Sequence, residues 1–325
     1  MEKFENKINS IKQMIKRLGY GEQDPPVRQF FSVLSGISGE SYFENMLAKI
    51  LQKRPEVTGE HLSYLIYISL QYLTDFAYDE QTRKEKLQAD LVAYSDKIIE
   101  LCRTKYASTN VIERYAFLQI ILGMLNKKCI VIDSGASIGI GLMALNSDKF
   151  SKIETGSELQ QYIRKKAEIS KAIGIDVQSP DLKWQSACYL PENRKNRIGL
   201  ERDYKMLTDK GTKINLMQGS LLDMDKINLP QADIIWTSNV LYEIEGDVGQ
   251  VMKNIRNLLK AGGIWINADY RHDDKAFATK ENPYVAMVRV KEKWNTLLEV
   301  LEAPSDSVRA ITPGKDFNIF KSACG

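Results

Sequence analysis

The chain has 325 residues, of which 43% are hydrophobic and 27% charged, an ordinary globular composition long enough for two domains or for one domain with a large appendage. A formal net charge of +3 is close to balance, and no Lys- or Arg-rich run is interleaved with aromatics, so nucleic-acid binding is disfavoured. The longest apolar region, Leu62 to Tyr78, is interrupted by Gln71 and Asp75, which argues against a membrane span, and Cys102, Cys129, Cys188 and Cys324 form no Cys-x-x-Cys pair that would suggest zinc or a redox dithiol.

Helical spacing governs residues 1–125, the first expected domain. Phe4, Ile8, Ile11 and Ile15 recur on one face until Gly19 and Gly21, and Pro25-Pro26 breaks the pattern. Tyr42, Met46 and Ile50 predict a helix that stops before Pro55, Thr58 is placed to cap the apolar helix after it, and Leu87, Leu91, Ile98 and Leu101 mark another. A last helix starts near Ser108-Thr109-Asn110 and runs through Leu125. Asn110 and Glu113 have capping-box spacing; equally, this helix could lie over the next loop and present Asn110 and Arg114 to a ligand.

Residues 126–325 form the second expected domain, in which strands alternate with helices as in a doubly wound, mostly parallel sheet. The β-branched run from Cys129 closes on Asp133 and then on Gly135-Ala136-Ser137-Ile138-Gly139, followed by an apolar helical segment, so it reads as strand, tight loop, helix. Gly135 and Gly139 would let the backbone approach a ligand or take positive φ, and the helix start would offer N–H groups. A dinucleotide fingerprint is absent, because Ser137 and Ile140 stand where it needs glycines.

A helical stretch is expected from Ser157 to Ala172, then a short strand ending on Asp176, then a loop from Pro180 to Pro191 holding Trp184 and Tyr189, and a helix with Arg197, Leu200 and Tyr204. Ile214 to Met217 is a strand closing on Gln218-Gly219-Ser220. Ile234 to Trp236 is another, followed by Thr237-Ser238-Asn239-Val240-Leu241-Tyr242-Glu243. The helix of Val251, Ile255 and Leu258 stops at Ala261-Gly262-Gly263, and Ile264 to Ile266 forms a strand that closes on Asn267-Ala268-Asp269-Tyr270. Two final strands, Val308 to Ile311 and Phe317 to Phe320, are expected as a hairpin across Pro313-Gly314.

The pattern Asp133-x-Gly135-x-Ser137-x-Gly139 resembles the first motif of class I S-adenosylmethionine-dependent methyltransferases, with Ser137 at the middle glycine. The later signals fall in the order that resemblance implies: an acid after the second strand, a polar end after the third, then Asp-Ile-Ile-Trp and Leu-Leu-Lys-Ala-Gly-Gly-Ile-Trp-Ile strands. It implies a Rossmann-like sheet closed by an antiparallel hairpin. The chain is also similar to an uncharacterised bacterial family that joins a helical N-terminal region to a methyltransferase-like core. Gly39-Glu40-Ser41-Tyr42, Ser108-Thr109-Asn110-Val111-Ile112-Glu113-Arg114, Gly135-Ala136-Ser137-Ile138-Gly139, Gly174-Ile175-Asp176 with Pro180-Asp181-Leu182, and Trp184, Ala187 and Pro191 carry that similarity.

The resemblance implies S-adenosylmethionine as cofactor, held by Asp133, Gly135, Ala136, Ser137, Gly139, Asp176, Gly219, Ser220, Ser238 and Asn239. Asp176 is the expected ribose acid; an earlier strand would give that role to Glu154. A sulfonium methyl is already activated, so the protein chiefly aligns the acceptor and excludes water, and no metal is required. Any proton handling falls to Glu243, His272 or Tyr242, and acceptor binding to Asn110, Arg114, Trp184 and Tyr270, with the helical domain as a wall or lid. The expected function is methyl transfer to a small-molecule acceptor; a nonenzymatic S-adenosylmethionine-binding or regulatory protein is the alternative, and RNA methylation is the least supported. Met1 to Glu5 lacks the apolar core of a signal peptide and the cysteines read as reduced thiols, so a cytoplasmic location is expected.

Overall fold

The structure is a computed structural model that describes residues 2–22, 24–108, 111–241, 247–270, 284–290, 293–300 and 310–324. The chain divides into two units, Met1–Thr109 with Asp181–Arg202, and Asn110–Pro180 with Asp203–Gly325. This differs from the division expected at residue 125. The segment leading into the first strand falls in the second unit, and a piece from mid-chain falls in the first.

The first unit is helical: α1 (Glu2–Tyr20), α2 (Pro25–Ile37), α3 (Ser41–Lys53), α4 (Gly59–Leu73), α5 (Lys84–Ala93) and α6 (Ser95–Thr104). Pro25 and Pro26 open α2, where a missing N–H costs nothing, and Thr58 caps α4 by accepting from the His61 N–H at 3.1 Å. The helices bury one apolar stripe each around Phe30, Phe31, Phe43 and Tyr67. Residues 181–202 join them because Trp184, Ala187 and Cys188 are part of that same buried cluster. The expected loop there is instead a short helix, Leu182–Ala187, whose cap Asp181 accepts from the Trp184 N–H at 2.9 Å. Arg197 is anchored to Asp79 by two contacts of 2.6 and 3.2 Å and lies 4.0 Å from the centre of the Phe76 ring.

The second unit is built on β1 (Cys129–Ser134), β2 (Glu154–Thr155), β3 (Ile169–Asp176), β4 (Ile214–Gln218), β5 (Ala232–Ser238), β6 (Leu259–Tyr270), β7 (Tyr284–Val290), β8 (Lys293–Val300) and β9 (Ala310–Pro313). Their order in the sheet is β2-β9-β8-β7-β6-β5-β1-β3-β4. From β4 to β6 the strands are parallel, whereas β6 to β9 run antiparallel to one another as a meander. This is the expected mixed, mostly parallel α/β sheet. β1 and β5 are buried or half-buried along their whole length because both faces are covered. α7 (Ala116–Leu125), apolar all round, is buried from Ala116 to Met124.

Two expectations are corrected. The stretch from Ser157 to Ala172 is α9 (Ser157–Ile163) followed by the start of β3. The last expected strand is a helix, Phe317–Cys324: Phe317 and Phe320 are buried while Ile319 is 68% exposed, a spacing of three that suits a helix face and not an alternating strand. The antiparallel part of the sheet is supplied by β7, β8 and β9.

Candidate functional site

β1 ends at Ser134, and Gly135 to Gly139 turn the chain into α8 (Ile140–Ala144). Gly135, Ser137 and Gly139 have φ of 96°, 52° and 75°. Every second residue is therefore left-handed, which is why glycines alternate in such a loop and why Ser137 carries strain of about 1–2 kcal/mol. The loop is held by its own hydrogen bonds. Gly135 and Ala136 donate to the Ile175 carbonyl at 2.8 and 3.1 Å, and Gly139 donates to the Ala136 carbonyl at 2.7 Å. The Ser137 N–H donates to Asp176 Oδ2 at 2.8 Å, while Asp176 Oδ1 accepts from the Gln178 N–H at 2.9 Å.

A side chain on these glycines would meet protein before it met a ligand. A Cβ on Gly135 would run into Val240, and one on Gly139 into Ile214 and Leu216. Of the two reasons the sequence offered for these glycines, the structure shows positive φ, together with close packing against protein. Gly219 is similar, since it donates to the Asp176 carbonyl at 2.8 Å and is crowded by Ile227, and the Ser220 hydroxyl caps its own turn by accepting from the Leu222 N–H at 3.1 Å.

Strand order separates the two candidate acids. Asp176 ends β3, which pairs directly with β1, whereas Glu154 lies in β2 at the opposite edge against β9. Only Asp176 reaches the glycine loop.

Asp133 lies beneath that loop, 1% exposed, and Tyr115 donates to its Oδ2 at 2.6 Å. Its Oδ1 has no hydrogen-bond partner among the described residues. Burial pushes the Asp133 carboxyl up to about 7; the Tyr115 hydroxyl opposes this and the Asp176 charge reinforces it. Tyr115, which ends a 3-10 turn over Ile112–Tyr115, is the residue sequence reasoning missed. Its ring lies against Gly141, where a Cβ would strike it, and is tilted on Trp236 with centroids 5.8 Å apart. The signal available was its place directly after Arg114.

The same turn brings Arg114 to the end of β5. With its amide oxygen turned to the guanidinium, Asn239 accepts from Arg114 Nη1 at 2.7 Å and Nη2 at 3.1 Å. Asn239 is itself left-handed, with φ of 54°, and its N–H donates to the Ala268 carbonyl at 3.1 Å; Ser238 is in register with Ala268. Ser134, Thr237 and Asn267 form a buried polar line across β1, β5 and β6. Thr237 Oγ1 donates to Asn267 Oδ1 at 2.9 Å and accepts from Trp265 Nε1 at 3.0 Å.

Trp184, expected to contact an acceptor, belongs to the buried core of the helical unit. It is 2% exposed in the helical unit, with its indole N–H donating to the Tyr106 carbonyl at 2.9 Å and its ring edge-on to Tyr72, so it cannot stack on an acceptor. Asn110, Tyr242, Glu243, His272 and the side chain of Tyr270 lie outside the described residues. Among the described residues no group of three or more His, Cys, Asp or Glu is arranged to hold a metal ion, and no helix is long and apolar enough to cross a membrane.

No family model matches the sequence, and no curated protein does. The resemblance to an uncharacterised bacterial family therefore gains nothing from these comparisons. Among solved structures, the N-methyltransferase NodS from Bradyrhizobium japonicum in complex with S-adenosylhomocysteine is 17% identical over 50% of this chain and 64% of its own, with a TM-score of 0.28. An S-adenosylmethionine-dependent methyltransferase from Mesorhizobium loti is 17% identical over 46% of this chain and 52% of its own, at 0.25. PKMT2 from Rickettsia typhi in complex with S-adenosylhomocysteine is 19% identical over 51% of this chain and 27% of its own, at 0.29. The chain thus spans less than two thirds of each.

Proposed function

We propose that the sheet unit binds S-adenosylmethionine and transfers its methyl group to a small-molecule acceptor. The observation that carries this reading is the tie between Asp176 and the glycine loop. It puts a carboxylate at the C-terminal end of adjacent central strands, where parallel sheets take their ligands. A carboxylate has about four acceptor sites, and the paired hydroxyls of a ribose are donors suited to such a group. The loop N–H groups at Gly135, Ala136, Ser137 and Gly139 already serve protein acceptors, which leaves little for a pyrophosphate and favours a ligand without phosphates. The Oδ1 of buried Asp133, without a hydrogen-bond partner among the described residues, suits a ligand with a cationic end. A ribose, an ammonium and no phosphate are combined in S-adenosylmethionine.

When bound, that cofactor supplies a methyl group already activated as a sulfonium. The protein's own part is to hold and align: Asp176 takes the ribose hydroxyls, the Ala136-Ser137 backbone borders the cofactor, and Arg114 with Asn239 forms a polar edge toward the acceptor. Tyr242, Glu243 and His272 are proposed for proton handling, and Tyr270 for contact with the acceptor. Titration calorimetry with S-adenosylmethionine tests the reading. Asp176→Ala is expected to weaken binding roughly ten- to a hundredfold, the equivalent of about 1.5–3 kcal/mol for a lost charge-assisted hydrogen bond, while Glu154→Ala leaves it unchanged. No binding by the wild-type chain refutes it; binding without transfer of a labelled methyl to any small-molecule pool supports the nonenzymatic alternative.

A further inference from the structure

Tyr115 is fixed from three sides: its ring sits on Gly141 of α8 and against Trp236 of β5, and its hydroxyl reaches Asp133 of β1. This holds a fully buried carboxyl with one oxygen bonded and the other without a partner among the described residues, directly below the loop tied to Asp176. A buried charged oxygen without a partner is costly, so such a group either keeps a proton or awaits a cation. Building on the cofactor reading above, we infer that Tyr115 is a positioning residue that aims Asp133 Oδ1 at the ammonium of the bound cofactor, and that binding expels one proton from Asp133 to solvent.

The balance is simple. Below about pH 7 the carboxyl of the free protein is mostly neutral; on binding, its proton goes to buffer and the carboxylate–ammonium pair forms without any other bond changing. Burial already places this carboxyl near neutrality, and among the described residues the titratable groups acting on it are the Tyr115 hydroxyl from the 3-10 turn and the Asp176 carboxylate from the end of β3. Its neighbours from α8 and β5, Gly141 and Trp236, do not titrate. An α-amino group titrates near 7.7–8.0, so the ligand's ammonium stays charged through the range that matters, about pH 5–7.

Calorimetry with S-adenosylmethionine in pairs of buffers of different ionisation enthalpy counts the protons. Release is expected to approach one per site at pH 6, to cross zero between about pH 7 and 8 and to turn to uptake above that as the free ligand's ammonium loses its proton, with affinity rising about tenfold per pH unit up to about 7 and falling again above about 8. Asp133→Asn, which keeps the shape, should bind more weakly, with no release at pH 6 and a flat affinity profile between about pH 5 and 7. Tyr115→Phe keeps the ring but removes the donor that favours the carboxylate, so the midpoint of release should move to higher pH, which a purely structural role would not produce. Wild-type binding without proton release, or release that persists in Asp133→Asn, overturns the inference and leaves the cofactor reading standing; absence of any binding heat and any ligand-induced protection overturns both.

Discussion

Arg197 offers a direct test of what holds residues 181–202 in the helical unit. Its guanidinium and the Asp79 carboxylate are 8% and 9% exposed, joined at 2.6 and 3.2 Å, and Asp79 also accepts from Gln71 at 2.7 Å. Arg197→Met keeps the stem packed near Phe76 but strands a buried carboxylate, which costs about 3–5 kcal/mol; the remaining Gln71 donor places the expected loss at the lower end. With a urea m-value of about 1–3 kcal/mol/M, the midpoint falls by roughly 1–3 M. Trp184 is the one tryptophan in this unit, so its fluorescence, with Trp236, Trp265 and Trp294 changed to Phe, follows the unit by itself. The double variant Arg197→Met, Asp79→Leu is expected to recover most of the loss, because paired removal leaves no buried charge. A single variant within about 0.5 kcal/mol of wild type, the range of an ordinary surface change, would refute the reasoning.

Stability of the sheet unit should depend on Asp133 with a definite sign. Its carboxyl titrates at about 7 when folded against about 3.9 unfolded, so the folded state holds more protons between these values and loses stability as pH rises through them, by on the order of 4 kcal/mol at pH 8. Asp133→Asn should therefore be more stable than wild type at pH 8, with the gap closing toward pH 4; parallel urea curves across that range would contradict this. Ser137→Gly relieves the left-handed strain of about 1–2 kcal/mol at a glycine entropy cost of about 0.5–1, so a gain of up to about 1.5 kcal/mol is expected in the same assay, and a loss would show that the serine side chain holds the loop. Gly139→Ala adds a Cβ against Ile214 and Leu216 at φ of 75°, and should destabilise by about 1–3 kcal/mol; a neutral effect would mean that β4 yields freely.

Amino-acid order alone determined the alternation of strands and helices from β1 to β6, the helical character of the first hundred residues, the Thr58 cap and the glycine-loop position, because each rests on local periodicity or turn chemistry, whereas β7 and β8 were not read from it. One place where local pattern misled is equally physical. Phe317 to Phe320 reads as either period when only two large residues mark it, and the burial of Phe317 and Phe320 over Ile319 settles it as helix.

Tertiary structure decided everything that depends on which strand lies beside which. Asp176 and Glu154 are both acids at strand ends in the sequence, and only the pairing of β3 with β1 brings Asp176 to the Ser137 N–H. Trp184 looked like a loop aromatic until its burial with the helical core and its bond to Tyr106 were seen. Tyr115 and Asp133 are 18 positions apart, and no periodicity links them. Their contact exists because a 3-10 turn, a glycine in α8 and a tryptophan in β5 meet at one point. Spacing along a chain records what neighbouring residues need from one another, whereas a buried carboxyl acquires its partner, and its raised affinity for a proton, only when distant segments exclude water around it.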